Sequence, residues 1–396
     1  MAERKKIAAV ITTYFPRSHA DVILTKFLKG FPTDEGHLEP QVDVAAMYMD
    51  QIHERDVGVE LAKEYGVPMF RSIPEALTLG GKELAVDAVL VIGEHGDYAW
   101  NEKEQHLYPR KYFFEQICGV FATSGRSVPV FSDKHLSYNW HDAKWMYDRS
   151  RELDVPFMAG SSLPLAWRSP WMEYELETDV EAALSMARGG LDSYGFHALE
   201  TLQCMVERRK GAETGIVAVQ CLEGDAVWKA GDEGLWSREL ADAARESIEG
   251  KEDGAMEDHC QNPAAYLIEY ADGLQAATLM LNGYLQGWGY AGQVNGEVKG
   301  MEVYLPDDPH AHFSYLSLNI QEMFLTGQPQ YPVERTLLVS GALEALLDSR
   351  HQGHVRIETP HLNLTYRSYE QLPIRSQAPR PSGASLVPFR PELKKR

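Results

Sequence analysis

Short apolar runs alternate with helix-period segments along the first part of this 396-residue chain, and that alternation restricts the fold more than any other feature. Ile7–Thr12 (IAAVIT) reads as a buried strand and His19–Phe31 as the helix after it. Val42–Asp50 is a second strand, ending in an acid, and precedes helix Val57–Val67. Strand Val86–Gly93, helix Tyr108–Gly125, strand Val128–Lys134, helix Asp142–Leu153 and strand Pro156–Ser161 continue the series. Strands this uniformly apolar need cover on both faces, which helices between successive parallel strands provide. The pattern therefore predicts βαβ units and a doubly wound, Rossmann-like parallel sheet.

After Arg168 the pattern changes to longer strand-like stretches: Glu213–Gly224, Ala264–Gly283 with a turn at Asp272–Gly273, and His354–Ser368. Helical patterns fall at Glu181–Ala187, His197–Arg209 and Thr336–His351. An open, mostly antiparallel sheet is expected here, so the whole reads as an α/β domain followed by an α+β domain. The length exceeds the roughly 150 residues of an ordinary domain. We place the first domain over 1–165, the second over 166–375, and a proline-rich arm with a basic end over 376–396.

Charge narrows the partners. A formal net charge of -20 repels polyanions, so neither nucleic acid nor an anionic membrane is expected to bind, and a small molecule is the better candidate. Four widely spaced cysteines without a CxxC pair indicate neither a disulfide framework nor a zinc knuckle. Without an apolar leader of about 7–15 residues after the charged N-terminus, the expected address is the cytoplasm.

The residue types that carry chemistry collect at predicted strand ends. Ligands of open α/β sheets bind outside the carboxyl ends of the strands, where Lys134 would stand, with His197 facing it from the second domain. Either can be tuned by burial for proton transfer. The first strand runs into ITTYFPRSHA (Ile11–Ala20), which holds no glycine; Thr12, Thr13, Arg17 and Ser18 remain to meet an anion at the helix start. Asp50 ends the second strand, where an acid can bond a ribose diol. After the next strand, GEHGDYAWNEKEQHLYPR (Gly93–Arg110) brings Glu94, His95, Asp97 and His106 over the same edge, joined by Asp133, His135 and His141. Such groups suit substrate hydroxyls, and they are also ligand types for zinc, manganese or iron. Tyr98, Trp100, Tyr138, Trp140 and Trp167 offer rings on which sugar faces can stack.

In this order and spacing the segments resemble the Gfo/Idh/MocA group, the relatives of glucose-fructose oxidoreductase and inositol dehydrogenase, over roughly residues 5–370. The family's Glu-Lys-Pro motif corresponds to Asp133, Lys134 and His135. Its second motif, an aspartate four residues before a histidine and an acid three after it, corresponds to Ser193, His197 and Glu200, with Asp192 beside the altered position. Aligning His19 and Ala20 with the end of the family's nucleotide loop puts Ile11, Thr13 and Pro16 where glycines belong. The resemblance implies an oxidoreductase acting on a sugar, cyclitol or glycoside with NAD(H). Lys134 and His197 would share proton transfer, Glu200 would orient the histidine, and Asp192 would supply the displaced acid. Thr12, Thr13, Arg17, Ser18, Asp50 and Glu94 would hold the cofactor, and His95, His106, Asp133, His135, Tyr194 and Arg168 would face the substrate. It also implies a homodimer or homotetramer, paired through the sheet face around Leu274–Leu281. Two competing readings keep the fold. One is a lyase, hydrolase or epimerase of sugar derivatives, with or without a divalent metal at Glu94, His95 or His106; the other is a noncatalytic sugar-binding protein.

Overall fold

The structure is a computed structural model and describes residues 4–390; the end of the predicted arm, from 391 on, lies outside them. Six parallel strands form the first sheet in the spatial order Met69–Phe70, Val42–Met49, Lys5–Ile11, Ala88–Ile92, Val130–Asp133 and Phe157–Gly160. In chain order this is 3-2-1-4-5-6, so the direction of winding reverses between the first and fourth strands and leaves a crevice at their carboxyl ends. Helices His19–Lys29 and His312–Thr326 contribute to the core on one face, and helices Ile73–Thr78, Arg110–Ser124 and Trp140–Glu152 to the core on the other. Coverage on both faces explains why Ile7–Ile11 and Ala88–Ile92 are apolar throughout.

The second sheet has eight strands, in the order Ile357–Glu358, Ile216–Glu223, Ala264–Tyr270, Gln275–Met280, Val180–Ala187, Trp288–Val294, Glu297–Tyr304 and Trp167–Ser169. Only the pairing of Val180–Ala187 with Gln275–Met280 is parallel. Helices Ser193–Val206 and Val333–His351 pack against one face. Helix Arg238–Ser247 closes the other, at the glycines of the last hairpin: a Cβ on Gly300 would lie 2.1 Å from the Ala243 carbonyl oxygen.

Two expectations change here. Glu181–Ala187, read as helix from its alanine, leucine and methionine, is instead an inner strand, because burial against both helical layers outweighs intrinsic helix preference. His354–Ser368 contributes only the two-residue strand Ile357–Glu358. Helix His312–Thr326, which we did not anticipate, packs against helix His19–Lys29, so the chain returns to the parallel-sheet core well after residue 165.

The apolar stretch around Leu274–Leu281 is covered within one chain: Leu279 and Leu281 pack with Leu240, Ala244 and Ile248. Its apolarity therefore requires no second copy. The arm likewise lies on its own chain, since Asp34 accepts from Ser376 Oγ at 2.6 Å and from the Ser382 amide at 2.8 Å. Among the described residues no helix is long and apolar enough to cross a membrane.

Candidate active site

Strand Val130–Asp133 ends in Lys134, whose backbone takes the left-handed conformation (φ 66°) and whose amide donates to the Gly160 carbonyl oxygen. A non-glycine residue held there is strained, and such strain concentrates at functional positions. Arg17 and His95, on two neighbouring loops of the same edge, share it (φ 71° and 69°). The Lys134 ammonium is buried; Nζ lies 3.2 Å from Glu94 Oε1 and donates to the Ser193 carbonyl oxygen at 3.4 Å. Glu94 also pairs with buried Arg110, whose Nη1 lies 3.1 Å from His135 Nε2. Burial alone would push the Glu94 carboxyl up, but Lys134 and Arg110 hold it well below the usual carboxylate range.

Across the crevice stands His197, at the beginning of helix Ser193–Val206. Burial, followed by the nearby Lys134 and His19, holds its imidazole well below the ordinary histidine range, and its buried Nδ1 has no hydrogen-bond partner. His19, in the first turn of its helix, stacks toward His197 with ring centroids 6.3 Å apart. Its Nδ1 lies 2.6 Å from the Asp133 carboxylate, which is wholly buried at the strand end. His95 faces His19 at 5.5 Å and is held at about 4 by burial and then by His19. Tyr194 meets His197 edge-on at 6.2 Å and stacks with Trp288. Thus Lys134, Glu94, His95, Asp133, His135, Tyr194 and His197 do converge. Sequence reading missed His19 and Arg110. The signal available was a histidine and an arginine at the starts of the helices that follow the first and fourth strands.

One expected role is corrected, and the side chains of several other candidates are engaged within the chain. Glu200 does not orient His197: its Oε2 accepts from the Ser161 amide and hydroxyl, while Oε1 comes so near Gly160 that a Cβ there would be 2.2 Å away. Arg168 is buried against Glu173 and the Met172 carbonyl oxygen. His106 stacks on Trp100 at 4.1 Å and bonds the Tyr98 carbonyl oxygen. Asp192 accepts from the His106 amide; burial raises it to about 6. Thr12 spends its hydroxyl on the Glu94 carbonyl oxygen, and Ser18 spends its own capping the first helix. Glu94 pairs with two buried cations, Lys134 and Arg110. The metal set does not form either: among the described residues no three His, Cys, Asp or Glu side chains are gathered to hold an ion.

Burial raises the Glu200 carboxyl from the ordinary 4.5 to about 7. A group raised on folding stabilises the fold fully below its unfolded value and loses that contribution as pH rises through the folded one. Relative to Glu200→Gln, the wild type should therefore lose stability between about pH 4.5 and 7, on the order of 3 kcal/mol in total. Urea melts of both proteins across that range provide the check, and parallel pH profiles would contradict it.

No protein-family model matches the chain, and no curated protein matches it. Solved structures do. GenD2 from gentamicin A biosynthesis, in complex with NAD, superimposes with a TM-score of 0.57 at 16% identity, covering 91% of this chain and 97% of that one. Scyllo-inositol dehydrogenase from Lactobacillus casei, with bound NAD(H) and scyllo-inositol, gives 0.55 at 11%, covering 90% and 99%. Myo-inositol dehydrogenase from the same organism, with NAD(H) and myo-inositol, gives 0.55 at 9%, covering 91% and 100%. Identities this low establish a shared two-domain fold.

Those three structures hold NAD or NAD(H), and the residues along this crevice would fit such a group only in part. Asp50 presents an exposed carboxylate at the second strand end, steadied by the hydroxyls of Tyr48 and Tyr98 at 2.6 and 2.7 Å. Thr13 Oγ1, buried in the loop after the first strand, has no partner. Ile11, Thr13 and Pro16 would deny a dinucleotide's phosphates the close backbone approach that glycine allows.

Proposed function

We propose that this chain is a Gfo/Idh/MocA-like oxidoreductase acting on a sugar or cyclitol hydroxyl with NAD(H). The observation that carries the proposal is the strained Lys134, held between Glu94 and the Ser193 carbonyl oxygen and facing a neutral His197 at the crevice of this fold. The likeness to NAD-bound dehydrogenases supports it at the level of fold.

When bound, NAD+ would take the hydride from the carbinol carbon. The residues manage the proton. With two directions of the Lys134 ammonium satisfied, the third is free to donate to the substrate oxygen and stabilise the negative charge that develops there. His197, neutral and with Nδ1 unpartnered, takes the proton. The His19–Asp133 pair borders the same space and fixes one side of the substrate. Tyr194 and Trp288 supply a wall against which a ring can stack.

Titrating NADH fluorescence tests the cofactor. Binding is expected, weaker than in glycine-rich relatives; no binding at millimolar concentration would overturn the redox reading. One observation favours a second reading in that event. Phe15, from the loop after the first strand, and His19, at the start of the helix that follows, both set their rings against His95, with centroids 5.3 and 5.5 Å away. Rings gathered at that loop suit a lyase or epimerase that uses the same proton-transfer groups without a dinucleotide.

A further inference from the structure

The helix N-terminus that would receive the cofactor's pyrophosphate already holds a carboxylate. Asp21, in the first turn of helix His19–Lys29, is only 8% exposed. Its Oδ2 accepts from the Arg17 amide at 2.8 Å and its Oδ1 from Thr25 Oγ1 at 3.1 Å. Left alone, a buried anion there would repel a second one and cancel the attraction of the helix end.

The countercharge comes from the opposite end of the chain. Arg390 Nη2 lies 2.6 Å from Asp21 Oδ1. The arm that delivers it is fastened beside the same helix: the Asp308 carboxylate accepts from the amides of Phe389 and Arg390 at 3.2 and 2.9 Å. The Phe389 ring lies over Lys26 Nζ at 5.5 Å, and that ammonium donates to the Pro309 carbonyl oxygen. Lys26 also acts on Asp21, but burial brings it down to about 7, which leaves Arg390 as the permanent cation. In the loop that leads into this helix, Thr13 Oγ1 is buried and unpartnered.

We infer that Arg390 is a positioning residue for the dinucleotide: by neutralising Asp21, the C-terminal arm makes the first helix able to accept a pyrophosphate. The inference rests on the NAD(H) reading above. Its chemistry is specific to charge, which separates it from a strap that merely stiffens the loop.

The test is NADH fluorescence titration of the full-length protein, independent of turnover, with near-ultraviolet circular dichroism to verify folding. Arg390→Ala should weaken NADH roughly tenfold, the scale of one uncompensated charge near a phosphate in a partly buried site, and high salt should shrink the loss. Arg390→Lys should retain most of the affinity. The Asp21→Asn/Arg390→Ala double variant should return to near wild type, because no carboxylate remains to be neutralised. Unchanged binding by Arg390→Ala, or a loss that Asp21→Asn fails to restore, would overturn the inference and leave the cofactor reading standing. Failure of the wild type itself to bind NADH would overturn both.

Discussion

Lys134→Ala is expected to lower turnover on the polyol that the wild type oxidises by roughly 10²- to 10⁴-fold, the size of a positioned acid-base or oxyanion contribution. The loss should appear in kcat, since the ammonium acts most strongly on charge that develops only in the transition state. Folding should change little. Glu94 keeps its pair with Arg110 after the lysine is removed, so no buried charge is orphaned. His197→Ala should cause a similar loss, and the double variant should be scarcely worse than either single one, because groups that act on one proton are not additive. Near-normal turnover in both single variants would remove the site from this pair.

Much of the fold was legible because it rests on patterns that survive without context. Strands such as Ile7–Ile11 and Ala88–Ile92 are apolar at every position, a pattern that parallel sheets covered on both faces require. The ends of those strands located Lys134 and the Gly93–Arg110 loop, and hence most of the crevice. What escaped depended on contacts distant in sequence. Val180–Ala187 has a helical composition and becomes a strand only when two helical layers bury it. Glu200 sits three residues from His197, the spacing of neighbours on one helix face, yet Ser161 and the bare Cα of Gly160 draw its carboxylate elsewhere. His19 was hidden for the opposite reason: its partner Asp133 is 114 residues away, and nothing local marks the pairing. Charge pairs of this kind, like that between Asp21 and Arg390, are fixed by topology and leave no period in the sequence.

Glu94→Ala is expected to be a strongly destabilising change, because the carboxylate is shared between two buried cations. Glu94 lies between two buried cations, with Lys134 at 3.2 Å and Arg110 on its other oxygen. Both cations are at most 3% exposed, so neither can turn to water when the carboxylate is lost. Removing one partner of a buried pair typically costs about 3–5 kcal/mol, far more than the pair adds over an apolar replacement. The denaturant midpoint of Glu94→Ala should fall accordingly, whereas that of Lys134→Ala should stay close to wild type. Activity should disappear with it, since Lys134 loses the contact that aims its ammonium. If Glu94→Ala melts like the wild type, Arg110 and Lys134 have another counterion and the charge arrangement described for this crevice is wrong. If it is destabilised but retains normal turnover, Glu94 is a structural anion and Lys134 needs no positioning. Loss of both, with Lys134→Ala losing only activity, is the pattern expected of a carboxylate that holds the site together and a lysine that works within it.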